Sequence, residues 1–147
     1  MRLWHIDLLP YLSELQFKGQ LRELVSVMHS WRDVGKTNHI LINRVMDYSK
    51  NELVNYFIYY EAEYHRRYNK WLPKQWQEFK EFDDHVHETD GGYRKDWHTK
   101  EYLRVCVANL YEKWKYAKGK SKISDEEWQR ILDGYKNLTG EDYKIWV

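Results

Sequence analysis

Cysteine is nearly absent from this chain. Cys106 is the only one among 147 residues, which excludes an internal disulfide, leaves no cysteine pair for a zinc site, and fits a reducing compartment. Proline is confined to Pro10 and Pro73, and no alternating apolar pattern of useful length appears. Both absences favour helices over strands. No stretch approaches 18 consecutive apolar residues, and no basic-then-apolar leader opens the chain, so a membrane anchor is not expected and a cytoplasmic protein is. A net charge of +1 declares no polyanionic ligand for the chain as a whole. Gly35-Lys36-Thr37 lacks the upstream glycine and strand of a phosphate-binding loop, which disfavours nucleotide hydrolysis.

What is abundant is aromatic surface with a polar handle: 8 Trp and 13 Tyr against 4 Phe. Such side chains serve cores, interfaces and base-stacking surfaces alike. Apolar residues recur at 3–4 residue spacing, and three of the runs open with a capping signal. Ser13-x-x-Gln16 opens a helix from 13 to about 32, with Leu15, Leu21, Leu24, Val25 and Met28 as its expected inner face. Ser49-x-x-Glu52 opens a second, over about 50–70, with Leu53, Phe57, Tyr60 and Tyr64 inward. Pro73 suits the first turn of a shorter third helix ending near Phe82. A polar loop with a Gly91-Gly92 turn precedes a fourth helix over about 97–117, with Leu103, Cys106, Val107, Leu110 and Trp114 inward. Ser124-x-x-Glu127 caps a last helix to about 137, with Gly134 and Gly140 punctuating its end. The expected fold is all-α: a compact single domain over 1–147, a bundle of four to five helices with the N-terminal segment packed into the core, and 123–147 as a possible C-terminal extension.

Charge is unevenly spread. Residues 94–122 carry nine Lys/Arg against three Asp/Glu, whereas 41–93 and 123–147 are each net acidic. The basic stretch is interleaved with aromatics, among them Trp114 and Tyr116. That pattern suits a phosphate backbone and equally suits a solvated helix.

Candidate chemistry begins at the amino terminus. Leu3, Trp4, Ile6, Leu8 and Leu9 start almost at once, so the terminus is expected to be tied into the core. An α-amine titrates at about 7.7–8.0 against about 10.4 for lysine. A positioned terminal amine is therefore a nucleophile for an electrophilic carbon, and Glu23, beside Arg22, is a candidate proton shuttle. An Arg-Glu step in an amphipathic helix also suits plain surface. His39 is a candidate phosphate or substrate contact, with a structural histidine equally open. Asp83, Asp84, His85, His87 and Glu88 have metal-ligand chemistry, but they lack a helix-borne His-Glu-x-x-His or a cysteine pair. No metal and no cofactor are expected. Cys106 reads as a small core residue.

Together the segments MRLW, LLPYLSEL, GQLRELV (19–25), GKTNHILINRVMDY (35–48) and NELVNYFIYYEAEYHRRY (51–68) resemble the phage-type pyrimidine-dimer DNA glycosylase/AP-lyase family. The likeness weakens after Pro73 and returns over 96–116. The resemblance implies that the terminal amine attacks C1′ of the damaged nucleotide, that Glu23 is the acid and base, and that Arg22 holds a phosphate. It implies DNA contacts by Arg2 and Lys113, and the basic stretch adds Lys115. Arg2 ordinarily prevents removal of the initiator methionine, so Met1 itself is the expected source of the amine. Asn109 stands where the family can carry arginine. The implied partner is damaged double-stranded DNA, with no membrane, and the expected state is a monomer associated with the nucleoid of a bacterial or phage-infected cell. Two rival readings remain at this level: a non-catalytic nucleic-acid-binding module using residues 94–122, and a metal-dependent nuclease using Asp83, His85 and His87.

Overall fold

The computed structural model describes residues 3–35, 50–83 and 98–145. The chain enters as an extended segment and turns into a 3-10 helix, Ile6–Tyr11. Five α-helices follow among the described residues: α1 Glu14–Asp33, α2 Lys50–Tyr68, α3 Pro73–Phe82, α4 Lys100–Lys115 and α5 Asp125–Thr139, with a short 3-10 turn at Gly119–Ser121 before α5. No strand occurs among the described residues, so the all-α expectation holds.

The helix starts follow from local chemistry. The Ser13 hydroxyl accepts from the Gln16 amide at 3.4 Å, and the Thr99 hydroxyl accepts from the Tyr102 amide at 3.1 Å. These caps satisfy donors that the first turn of a helix leaves without an intrahelical partner. Ser124 and Glu127 form the full reciprocal box, at 2.9 and 3.1 Å. Pro73 opens α3, where its missing amide costs nothing. Gly140, at φ +74°, ends α5 in the left-handed conformation. Gly134 does not punctuate that end. It lies inside α5 and lets the helix close onto the ring of Tyr11.

The inner face of α1 also departs from expectation. Phe17, Gln20, Leu24, Val27 and Met28 are buried, whereas Leu15 is exposed. Phe17 wins the inward position because Tyr60 stacks on it at 4.5 Å and the Arg67 guanidinium lies 4.1 Å from its ring centroid. Each fully buried apolar side chain of this face contributes about 1.5–3 kcal/mol. On α2, Leu53, Phe57 and Tyr60 are buried and Tyr64 is half-buried, and on α4 Leu103, Cys106, Val107 and Leu110 are buried.

The N-terminal segment is held from several sides. Arg67 donates to the carbonyls of Leu9 and Leu12, each at 2.9 Å, and pairs with the buried Glu63 at 2.9 Å. Arg130 of α5 donates to the Pro10 carbonyl at 2.8 Å. The 3-10 helix thus packs between α2 and α5, and α5 also packs on α4. Trp128, Ile131 and Tyr135 of α5 are buried, and α5 closes the core over the N-terminal 3-10 helix.

Candidate active site

Residues 3–5 precede the 3-10 helix and Ile6 opens it, so their backbone groups need partners from elsewhere. Side chains supply them. The Leu3 carbonyl accepts from the Tyr102 hydroxyl. The Trp4 amide donates to Gln20 Oε1 at 2.7 Å, and the Trp4 carbonyl accepts from the Tyr56 hydroxyl at 2.7 Å. The His5 amide donates to Cys106 Sγ at 3.3 Å, and the Ile6 amide donates to His98 Nδ1 at 3.0 Å. Leu3, Trp4 and His5 are all buried. The expectation that the segment packs into the core is met.

Beside this segment lies a cleft of about 280 Å³ lined by Trp4, Gln16, Gly19, Gln20, Glu23, Asn109 and Lys113. Its geometry is set by helix periodicity. Residues 16, 19, 20 and 23 share one face of α1, and residues 109 and 113 share one face of α4. The lining therefore combines a carboxylate, an ammonium group and several amides. Glu23 and Lys113 are each half-buried, accessible to a ligand yet partly shielded from bulk solvent. Gly19 leaves its part of the wall without a side chain, and the Arg22 guanidinium reaches to 3.7 Å from where a β-carbon at Gly19 would stand. The exposed Arg22 is thus a second cation at the rim. Asn109 Nδ2 donates to the Val105 carbonyl at 2.9 Å, one turn back on α4.

Two of the residues expected at the site, Glu23 and Lys113, line this cleft, with Arg22 at its edge. Lys115, two positions on and about 200° round the helix, does not line it. It is exposed, with its ammonium 5.7 Å from the centroid of the Trp114 ring. Met1, Arg2 and His39 lie outside the described residues, as do Asp84, His85, His87 and Glu88 of the acidic loop. Asp83 is buried at the end of α3. Trp4, Gln16, Gly19 and Gln20 were not singled out from sequence as site residues. The available signal was their spacing, since 16, 19, 20 and 23 fall on one helical face. Gln20 also borders the apolar row of Phe17, Leu24, Val27 and Met28, as its one polar member among the buried residues of α1.

A search of curated proteins and one of solved structures found no match to the chain. The model of one family, pyrimidine dimer DNA glycosylase, matches residues 1–76. The matched stretch takes in the N-terminal segment, α1 with Arg22 and Glu23, and α2, whereas Asn109 and Lys113 of the opposite wall lie beyond it. With just over half of the chain matched, the protein belongs to the pyrimidine dimer DNA glycosylase family, which repairs DNA.

Proposed function

We propose that this DNA repair glycosylase cleaves the N-glycosidic bond at pyrimidine dimers or related lesions in duplex DNA and then nicks the strand as an AP lyase. The Met1 α-amine is the nucleophile and Glu23 the acid and base. The amine attacks C1′, the C1′–N bond breaks, and the base leaves with the bonding pair and a proton. Glu23 as acid protonates the sugar ring oxygen, and ring opening leaves an imine between the amine nitrogen and C1′. Once protonated, the imine acidifies C2′, and a carboxylate within reach takes that proton. The C2′ electron pair becomes the C2′=C3′ double bond, the C3′–O bond breaks, and the 3′ phosphate leaves. Water hydrolyses the imine and releases the enzyme.

The observation that carries this reading is the convergence of Glu23 and Lys113 on a cleft that Trp4 also lines. Trp4 is three residues from Met1, and three residues of chain reach about 10 Å at most. The cleft is thus within range of the amine. Arg22 and Lys113 then hold phosphates beside the lesion by charge-assisted hydrogen bonds, with Arg2, His39 and Lys115 as further DNA contacts. Reaching C1′ requires distortion of the duplex, as base-processing enzymes generally impose. The enzyme acts as a monomer in the cytoplasm, on nucleoid or phage DNA, and needs no metal.

Borohydride trapping tests this directly. Untagged protein, with intact mass showing Met1 retained and unblocked, is expected to form a covalent adduct with an abasic duplex in the presence of EDTA. Blocking the terminus or Glu23→Gln is expected to abolish it. Absence of any adduct from such a preparation refutes the amine mechanism. Cleavage that vanishes in EDTA and leaves 3′-hydroxyl ends instead supports a metal-dependent nuclease.

A further inference from the structure

We infer that Gln20 and Tyr56 are positioning residues for the nucleophile: together they hold both backbone groups of Trp4 and so set the register of the N-terminal segment against Glu23. The inference rests on the amine mechanism proposed above and goes further, to what aims the amine.

The three groups form a closed network. Gln20 Oε1 accepts from the Trp4 amide at 2.7 Å, the Tyr56 hydroxyl donates to the Trp4 carbonyl at 2.7 Å, and the same hydroxyl lies 3.1 Å from Gln20 Oε1. All three side chains are buried, with Gln20 at 1% and Tyr56 at 0% exposure. The network joins three elements that the chain separates by 16 and 36 residues. Within residues 3–6, Trp4 has both its amide and its carbonyl held by side chains in this way. These two groups belong to successive peptide units, whose other ends are held by Tyr102 at the Leu3 carbonyl and by Cys106 at the His5 amide, so both units on either side of Trp4 are fixed in rotation.

Gln20 also has a second place. It lines the cleft itself, one turn before Glu23 on the same face of α1. One side chain therefore touches the segment that leads to Met1 and stands beside the carboxylate that the amine must work with. Any shift of Trp4 along α1 is a shift of the amine relative to Glu23. A misplacement of about 1 Å in reacting groups costs about 100-fold in rate.

Gln20→Met keeps the length and volume of the side chain and removes the acceptor. Tyr56→Phe removes one oxygen and nothing else, and serves if the first variant folds poorly. The readout is the single-turnover rate of borohydride trapping on an abasic duplex, with enzyme in excess, beside the Kd for the same duplex and a thermal melt. At a temperature where each variant is fully folded, Gln20→Met is expected to slow trapping about 10- to 100-fold, and Tyr56→Phe several-fold. The Kd is expected to stay within about twofold, because the phosphate-binding cations are untouched. Trapping at the unaltered rate in both variants overturns the inference. So does a loss that runs only in parallel with Kd or with the folded fraction, since that marks a purely structural role. If the unaltered protein forms no adduct, the amine mechanism fails first, a result distinct from unchanged rates in variants of an active enzyme.

Discussion

Replacing Gly134 by alanine is expected to destabilise the protein, against the usual effect of that change in a helix. In the interior of an exposed helix, alanine is favoured over glycine by about 1 kcal/mol. Gly134 is different because α5 lies directly on Tyr11 of the N-terminal 3-10 helix. A β-carbon built at Gly134 stands 2.6 and 2.7 Å from Tyr11 Cδ2 and Cδ1, with Cγ closer still. Carbon atoms in good contact sit about 3.5–4.0 Å apart, so the ring must retreat by about 1 Å. The nearest atoms lie at the root of the ring rather than at its tip, so turning the ring about its own axis does not clear them. The 3-10 helix itself must shift, and Arg67 and Arg130 hold its carbonyls. Overpacking of this kind costs about 1–3 kcal/mol, here at the upper end because three ring atoms are involved. Subtracting the helix gain of about 1 kcal/mol leaves a net loss of about 2 kcal/mol, or a Tm lower by about 4–8 °C for a chain of this length. Thermal unfolding followed by circular dichroism measures it. The same substitution in a Tyr11→Ala background, with the ring gone, is expected to change sign and stabilise by up to about 1 kcal/mol. A Gly134→Ala protein that melts above the parent, or an unchanged sign in the Tyr11→Ala background, refutes the reasoning.

Glu63 links stability to pH. Burial works to raise its carboxyl, but the Arg66 and Arg67 guanidiniums outweigh that and hold it below the usual carboxylate range. The folded-state pKa is thus lower than the unfolded one, so the pair's contribution is present above about pH 4.5, the ordinary value of the group, and is lost as pH falls through the folded pKa. Urea titrations from pH 6 to 3 are expected to show that loss, and Glu63→Gln to be less stable at pH 6 with a flatter acid limb; parallel limbs count against the link. Lys113→Ala is expected to weaken duplex binding and to lower the slope of log K against log salt by about 0.9, the signature of one lost phosphate contact. An unchanged slope removes Lys113 from the DNA interface. Glu23→Gln is expected to slow strand nicking about 10²–10⁴-fold, with a Tm within a few degrees of the parent, as suits a half-buried residue outside the core; nicking at the parental rate rules out its role as the base.

Helix content and most helix ends were legible in the sequence because they depend on neighbours along the chain. The Ser124–Glu127 box acts over three residues, Pro73 acts through its own ring, and the spacing of Leu53, Phe57 and Tyr60 reports one helical face. The pairing of Arg22 and Glu23 with the N-terminal segment was legible only through likeness to a family. Periodicity alone does not separate a cleft carboxylate from a surface one. Periodicity also misjudged Leu15 and Phe17, because the deciding contacts come from Tyr60 and Arg67, more than 40 positions away. Gly134 looked like punctuation for the same reason, since its partner Tyr11 belongs to the other end of the chain.

The sequence by itself determined the all-α architecture and the two chemical groups at issue, an acidic residue at 23 and a basic one at 113. Only the tertiary structure decided that these two face one cleft, that Lys115 does not, and that α5 closes over the N-terminal segment. The physical reason is range. Capping and amphipathic periodicity act within a few residues, whereas the cleft is made by an extended segment whose amide and carbonyl groups find their partners on α1, α2, α4 and at His98. Those partners lie between 16 and 101 positions along the chain, and no local pattern encodes them.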